Sequence, residues 1–360
     1  NCSRAAQEAA SLGKREGGVK FGPVPIDDAA GGVIAHAVRR PGLTLKKGDV
    51  VGAAEIAALR DAGVEEVTVA RLEDGDIGED EAAQLLANAV TGANLRIDPP
   101  FTGRCNIFAT RAGVLVTDAA AIDAVNALDE SITFATLPPL RAVVEGEMVA
   151  TVKIIPFAVA RAKLDAAIAL AGAARLSVRP FKPMKVAMIS TVLPGLKPAT
   201  IDKTARVLGE RLAPAGATIV SHERVEHETR ELTPAIERAT PASDLVIVFG
   251  ASAITDRRDV IPASIEAAGG RIEHFGMPVD PGNLLLIGAT SAGRPILGAP
   301  GCARSPKENG FDWVLQRLLA RLPVTSADIR KLGAGGLLME IVSRPQPRAG
   351  GEAADESEDG

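Results

Sequence analysis

The chain has 360 residues and a formal net charge of -5, and aromatic residues make up only 3% of it, with no tyrosine. Five acidic residues in the last ten positions account for that charge, so the rest of the chain is close to neutral. This composition provides neither the basic surface nor the aromatic platforms used in nucleic-acid binding.

The length predicts two or three domains, and the cysteine and hydropathy patterns predict a cytoplasmic protein. Cys2, Cys105 and Cys302 lie far apart in the sequence, which argues against a disulfide scaffold or a zinc cage. No run of about eighteen apolar residues is present, so no membrane association is expected. Residues 1–18 lack an apolar signal core and are predicted to be a disordered leader.

Residues 19–98 are predicted to form an α+β domain. Its expected elements, in chain order, are a short helix capped by Asp27 or Asp28, a helix over Ala53–Ala62, a strand over Glu66–Ala70 and a helix over Glu79–Thr91. The consecutive prolines of Asp98-Pro99-Pro100 stop regular structure and predict the end of this domain.

Residues 99–182 are predicted to form a second small α+β domain. The expected elements are strands over Asn106–Ala109 and Gly113–Val116 joined by a turn, a helix over Asp118–Leu128, strands over Ile132–Leu137, Arg141–Val144 and Met148–Pro156, and a helix over Val159–Ala173. Lys182-Pro183 marks the next boundary, because the pattern changes there.

From residue 183 onward strands and helices alternate, which predicts a doubly wound, mostly parallel sheet. Its centre is Leu245–Phe249, because a strand that is apolar on both faces belongs inside such a sheet. The other expected strands are Val186–Ser190, Thr218–Ser221, Arg271–Phe275, Leu284–Ile287 and Arg294–Leu297. The expected helices are Asp202–Ala213, Glu228–Ala239, Pro262–Ala268 and, as the last one, Ser305–Leu322.

The predicted fold class is therefore α/β, with this sheet over residues 183–330 and the two smaller α+β domains before it. Residues 331–360 are predicted to add a terminal strand over Gly333–Val342 and a disordered acidic tail.

Parallel sheets bind ligands in the loops at the carboxyl ends of their strands, and four loops rich in small residues qualify here. They are Ser190–Gly195, Gly250–Asp259, Pro278–Asn283 and Gly298–Lys307. Small residues let backbone N–H groups approach an anion closely, and a helix N-terminus adds a favourable dipole. Gly250–Ala253 matches no general nucleotide motif, and taken alone it is interpreted as a tight strand-to-helix turn.

The charged residues of these loops each have a plain and a functional interpretation. Arg257-Arg258-Asp259 is either a solvated helix start or a site in which Asp259 binds Mg²⁺ or organises a phosphate. Arg304 and Lys307 are either surface charges or phosphate ligands. Cys302 has no evident histidine partner and is interpreted as a packing residue rather than a nucleophile.

Together the loops resemble those of the molybdopterin-binding domain shared by molybdopterin adenylyltransferase and molybdopterin molybdotransferase, over roughly Lys185–Leu322. The best match is Arg258-Asp259-Val260-Ile261-Pro262, which is similar to the family's R-D-V-T-P. Weaker matches are Ile189-Ser190-Thr191 to the start of S-T-G-D-E-L, Asp280–Asn283 to P-G-K-P, Gly298–Cys302 to L-P-G-N-P, and, in the amino-terminal half, Val24–Gly31 and Leu45–Val67 to the molybdotransferase's opening segment.

The resemblance implies a small-molecule pterin, molybdopterin, as ligand or substrate, with Asp259 as catalytic residue and as ligand of Mg²⁺. It also implies a homo-oligomer and other cofactor-biosynthesis proteins as partners. The residues that it assigns to ligand binding are Ser190, Thr191, Gly250, Ala251, Ser252, Ala253, Arg258, Pro281, Gly282, Pro300, Gly301, Arg304 and Lys307.

Several departures from the family pattern support binding better than catalysis. Ala251 and Ala253 place methyl groups where the family's G-G-T-G has glycine, and Val192–Pro194 replaces the acids of S-T-G-D-E-L. Glu226-His227-Glu228 is a partial substitute for the P-D-D acid pair of the adenylyltransferases. The leading hypothesis is a molybdopterin-binding protein of cofactor biosynthesis that transfers molybdate to adenylylated molybdopterin. The alternatives are a non-catalytic carrier or sensor, or an unrelated doubly wound nucleotide or sugar-phosphate enzyme.

Overall fold

The computed structural model of the chain describes residues 20–173 and 175–338. They form two compact units, one running to Arg111 and continuing over Leu115–Val178, the other comprising Ala112–Val114 and the chain from Arg179 onward. The predicted leader and the part of the predicted tail from residue 339 lie outside the described residues, and the finer domain boundaries stay predictions. None of the helices in the described ranges has the length and apolar content needed to cross a membrane.

The first part of unit one is a small antiparallel assembly with its own apolar cluster. Its elements are β1 Lys20–Pro25, β2 Val33–Ile34, β3 Val38–Arg40, β4 Leu43–Leu45, α1 Ala53–Asp61 and β5 Glu66–Arg71. Strand β5 pairs with β1 and β2, and Ile34, Leu59 and Val69 are fully or almost fully buried. The short helix predicted at Asp27 or Asp28 is a single 3-10 turn, because the chain reverses at Gly31, where φ is +75°.

The rest of unit one has a second apolar cluster and a four-stranded antiparallel sheet of order β10-β12-β8-β7. Its elements are β6 Asp76–Gly78, α2 Glu79–Val90, β7 Leu95–Ile97, β8 Arg104–Ala109, β9 Gly113–Val116, α3 Ala119–Asn126, β10 Ile132–Thr136, β11 Ala142–Val143, β12 Met148–Ile154, β13 Ala158–Ala160, α4 Arg161–Ala171 and β14 Ser177–Pro180. Strands β8 and β9 follow one another in the chain but lie in different sheets, since β8 lies between β7 and β12 and β9 lies between β11 and β14.

Unit two contains a six-stranded sheet of order β16-β15-β17-β20-β19-β18. Its elements are β15 Lys185–Val192, α5 Pro198–Leu212, β16 Thr218–Glu226, α6 Thr229–Ala242, β17 Leu245–Phe249, α7 Val260–Ala267, β18 Arg271–Phe275, β19 Leu286–Ala289, β20 Pro295–Ala299, α8 Gly310–Leu319 and α9 Ser326–Arg330. The first four strands of the order are mutually parallel, whereas β19 is antiparallel to both of its neighbours.

Helices cover both faces of this sheet, which confirms the predicted doubly wound α/β fold. All five residues of β17 are buried, and alternate side chains enter different apolar clusters. Phe249 packs with residues of α5 and α8 on one face, while Val248 packs with residues of α6 and α7 on the other. The central strand is therefore apolar throughout because neither of its faces meets water.

Two predictions near the end of unit two need correction. The helix predicted over Ser305–Leu322 begins only at Gly310, because the buried Asn309 caps it by accepting the N–H of Phe311 at 3.1 Å. It is also followed by α9, which was not predicted. Of the strand predicted over Gly333–Val342, the described part contributes one isolated bridge, between Leu337 and Asp280.

Candidate functional site

The structure brings the four predicted loops to one edge of the six-stranded sheet, which we call the carboxyl edge. Strands β15, β17 and β20 are parallel neighbours, so the chain leaves all three of them at this edge. Strand β19 starts at the same edge, because its first residue, Leu286, lies opposite Gly298 near the end of β20. The loop between β18 and β19 therefore joins the other three.

The β17 loop, Gly250–Ala253, presents backbone donors to solvent. A Cβ at Gly250 would lie 2.7 Å from the carbonyl oxygen of Ser252 and 2.8 Å from Ile261 Cδ1, so this turn requires glycine. Ser252 and Ala253 are exposed, and their N–H groups have no acceptor among the described residues. Unpaired N–H groups in a tight turn are suited to hold an anion.

The hydroxyls of Ser190 and Thr191 lie beneath the carboxyl edge, because both residues belong to β15 and are buried. Ser190 Oγ lies 3.0 Å from His222 Nε2. Thr191 Oγ1 lies 2.8 Å from His227 Nδ1 and accepts the N–H of Ala251 at 2.8 Å. The structure thus buries both predicted ligand residues, and Thr191 supports the β17 loop through its contact with Ala251.

Arg304 connects the β17 loop to the segment after β20. Its guanidinium donates to the carbonyl oxygen of Gly250 and to Thr204 Oγ1, both at 2.9 Å, and lies 5.6 Å from the centre of the Phe249 ring. Burial lowers the pKa of the Arg304 guanidinium. Two of its nitrogens are thus occupied by the protein, so Arg304 fixes the Gly250 turn in addition to placing a positive charge at this edge.

The β20 loop, residues 300–307, is held from below by Arg211 of α5. Arg211 pairs with Asp312 at 2.5 Å, and both side chains are about nine-tenths buried. The same guanidinium donates to the carbonyl oxygens of Ala303, Ser305 and Lys307 at 2.9, 2.6 and 3.3 Å. One buried cation therefore determines the path of the loop.

Other predicted ligand residues of the β20 loop differ in accessibility. Pro300 is buried, whereas Gly301 and Lys307 are exposed at the carboxyl edge. Burial raises the pKa of the Cys302 thiol to about 11, so it is protonated near neutral pH. That state suits the interpretation of Cys302 as a packing residue.

The loop between β18 and β19 packs into the interior. Pro281 and Gly282 are buried, and the carbonyl oxygen of Pro281 accepts the N–H of Gly310 at 2.8 Å. Gly282 has a φ of +138°, and a Cβ there would lie 2.8 Å from the Gly310 nitrogen. These two residues anchor the start of α8, and the structure does not place them on the exposed surface with Ser252.

Asp259 caps α7. One of its carboxylate oxygens accepts the N–H of Val260 at 2.8 Å, and the other accepts the N–H of Thr255 at 3.2 Å. Arg258 is 92% exposed and pairs with Asp256 at 2.8 Å, and its hydrogen bonds lower the pKa of that carboxyl. Asp259 thus has a structural role, while Arg258 is an exposed cation in an ion pair with Asp256.

The donor set does not fit a magnesium centre built by the protein. Mg²⁺ takes six oxygen ligands, and each oxygen of Asp259 already accepts a backbone N–H. Among the described residues no group of three or more His, Cys, Asp or Glu side chains could hold a metal ion. The described residues therefore do not form a magnesium centre on their own.

Sequence reasoning missed two supporting residues, Arg211 and His227. The sequence pattern could have indicated Arg211, because this residue shares the buried face of α5 with Leu208 and Leu212. A cation on a buried face needs a partner. His227 gave a weaker signal, its place directly after a strand that ends at the carboxyl edge.

Comparison with known proteins gives two family matches. Residues 187–321 match the family described as "Probable molybdopterin binding domain", and residues 23–71 match one described as a domain of unknown function. No curated protein matches the chain. The fold is a doubly wound α/β domain in which four loops rich in small residues meet at the carboxyl edge.

Solved structures similar to the chain include a molybdopterin biosynthesis moea protein from Pyrococcus horikosii, 18% identical over 89% of this chain and 78% of its own, with a TM-score of 0.30. A molybdenum cofactor biosynthesis protein from Pyrococcus furiosus is 14% identical over 89% of this chain and 70% of its own, with a TM-score of 0.26. The molybdopterin biosynthesis enzyme MoaB from Thermus thermophilus is 17% identical over 39% of this chain and 98% of its own, with a TM-score of 0.27.

Residues 187–321 are thus similar to the molybdopterin-binding domain family. The resemblance predicted for this segment is therefore confirmed. The resemblance of Val24–Gly31 and Leu45–Val67 to the molybdotransferase stays a prediction, because the family that covers residues 23–71 has no known function.

Proposed function

We propose that unit two binds molybdopterin at the carboxyl edge and that the chain acts in molybdenum cofactor biosynthesis. The observation that carries the proposal is the family match over residues 187–321 together with the exposed N–H groups of Ser252 and Ala253 at that edge. The phosphate of the ligand would accept from these two groups. Arg258, Lys307 and Gly301 are the other exposed residues of the predicted set at the same edge.

Ligand binding is the main role that we propose for this site, and catalysis is secondary to it. Asp259, the predicted catalytic and metal-binding residue, uses both carboxylate oxygens to cap α7. The position of its carboxylate is therefore explained by helix capping, and no catalytic role is needed to explain it. Molybdate transfer is the finer form of the proposal. It would be supported if the chain turned over adenylylated molybdopterin with molybdate and if Asp259→Asn lost this activity.

The test of binding compares one substitution at the carboxyl edge of the sheet with one at the opposite edge. Ser252→Glu adds a carboxylate at the tip of the β17 loop, where it would repel a phosphate. Ser291→Glu is the matched control, because Ser291 is also exposed but lies in the turn between β19 and β20, at the opposite edge. Each protein is purified from a host that produces the cofactor, and its bound pterin is oxidised and measured by fluorescence.

We expect the parent and Ser291→Glu to retain pterin and Ser252→Glu to lose most of it. Absence of pterin from the parent, or equal retention by all three proteins, would contradict the proposal. The predicted homo-oligomer and the predicted protein partners rest on the resemblance alone and stay predictions.

A further inference from the structure

The hydroxyl of Thr191 has a hydrogen-bond arrangement that determines where its proton lies. A hydroxyl has one donor and two acceptor sites. Thr191 Oγ1 accepts the N–H of Ala251, which cannot take a proton in return. Within the described part of the chain its other partner is His227 Nδ1, at 2.8 Å. Since Thr191 is 0% exposed, water is not available to accept the hydroxyl proton.

His227 Nδ1 is therefore the acceptor, and the ring proton of the neutral imidazole lies on Nε2. The backbone of His227 is itself fixed, because its N–H donates to the carbonyl oxygen of Val192 at 2.9 Å. The imidazole is therefore held directly beyond the ends of the paired strands β15 and β16. A continuous path of hydrogen bonds runs from this ring through Thr191 to the backbone of Ala251.

We propose that His227, as its Nε2–H tautomer, is a positioning residue for the β17 loop. It orients the Thr191 hydroxyl so that the oxygen accepts from Ala251, and the next two N–H groups, of Ser252 and Ala253, then face outward. The consequence for ligand affinity rests on the proposed function. The consequence for the loop does not, since it can be measured in the unliganded protein.

The test compares four variants with the parent chain. Thr191→Val keeps the shape and removes the hydroxyl, and His227→Leu removes the acceptor. His227→Asn restores an acceptor at a position close to Nδ1. His222→Leu is the matched control, because His222 makes the same kind of contact with the neighbouring Ser190 but does not contact the β17 loop.

Three quantities are measured, namely the ring tautomer of His227 from ¹⁵N chemical shifts, the exchange rate of the Ala251 amide, and pterin retention. We expect the Nε2–H tautomer in the parent. We expect amide exchange about tenfold faster and pterin retention about tenfold weaker in Thr191→Val and His227→Leu, the effect of losing one buried hydrogen bond. His227→Asn restores most of both, and His222→Leu changes neither.

A ring proton on Nδ1, or an Ala251 amide that exchanges at the parent rate in His227→Leu, overturns the positioning role. His227 is only half-buried, so His227→Leu gives this answer even if Thr191→Val does not fold. If the tautomer and exchange results are as expected but the parent holds no pterin, the positioning role stands and the proposed function fails.

Discussion

The two loops that follow the central parallel strands lie at the same edge and are held in opposite ways. The β20 loop is tied through three of its carbonyl oxygens to the buried guanidinium of Arg211. The β17 loop is tied at Gly250 and Ala251, and its tip, Ser252 and Ala253, is exposed. The β20 loop is therefore the fixed side of the carboxyl edge, and the β17 loop is the side that presents exposed residues to solvent. Variants that affect each loop separately test this difference.

The largest effect is expected on the fixed side, from Arg211→Met. This change leaves the carboxylate of Asp312 buried without its partner, so the free energy of unfolding should fall by about 3–5 kcal/mol. Urea unfolding measures it. Arg211→Lys keeps the charge but not the planar fork and should cost about 1–3 kcal/mol. An Arg211→Lys protein as stable as the parent would mean that the contacts with the loop carbonyls contribute nothing.

Gly282→Ala should have the next largest effect, about 2–4 kcal/mol in unfolding free energy. The new methyl group would meet the backbone of Gly310 at 2.8 Å, with φ at +138°. The control is Gly195→Ala, whose φ of +89° is also unfavourable but whose Cβ would have no neighbour within 4 Å. It should cost about 1 kcal/mol, and a similar loss at both positions would show that the close approach to α8 is unimportant.

Asp259→Ala should cost about 1 kcal/mol, the usual effect of losing a helix cap, whereas Asp259→Asn should be nearly neutral because asparagine also caps helices. Thermal or urea unfolding separates the two variants. If Asp259 is only a cap, Asp259→Asn also retains pterin. Loss of pterin from a normally stable Asp259→Asn protein would instead give the carboxylate a direct role at the site.

The smallest effect on stability is expected from Arg258→Ala, which should leave the unfolding midpoint unchanged because the side chain is 92% exposed. Pterin retention, in contrast, should fall about tenfold if the guanidinium donates to the ligand's phosphate. Asp256→Asn is the complementary variant, since it releases Arg258 from its ion pair. If neither variant changes pterin retention, Arg258 does not contact the ligand.

Local sequence patterns predicted the framework of the fold well. The strands Leu245–Phe249 and Arg271–Phe275 have the predicted bounds, the first because a fully buried strand is apolar throughout. The start of α8 was misplaced by five residues, because the capping role of Asn309 depends on its burial beneath the β20 loop.

The supporting contacts of the site could not be predicted, because they join residues far apart in sequence. Thr191 and His227 are 36 positions apart, and Arg211 and Asp312 are 101 apart. The sequence indicated which loops meet at the carboxyl edge, since strand order and direction determine that. It did not show that Ser190, Thr191, Pro281 and Gly282 would be buried, because burial depends on the packing of neighbouring elements.

A crystal structure of the chain with molybdopterin bound would test the central claim most directly. The account predicts the ligand at the carboxyl edge, with its phosphate accepting from the N–H groups of Ser252 and Ala253 and with Thr191 still bonded to His227. A ligand bound at the edge where Ser291 lies, or bound at the carboxyl edge without contact to the β17 loop, would contradict it.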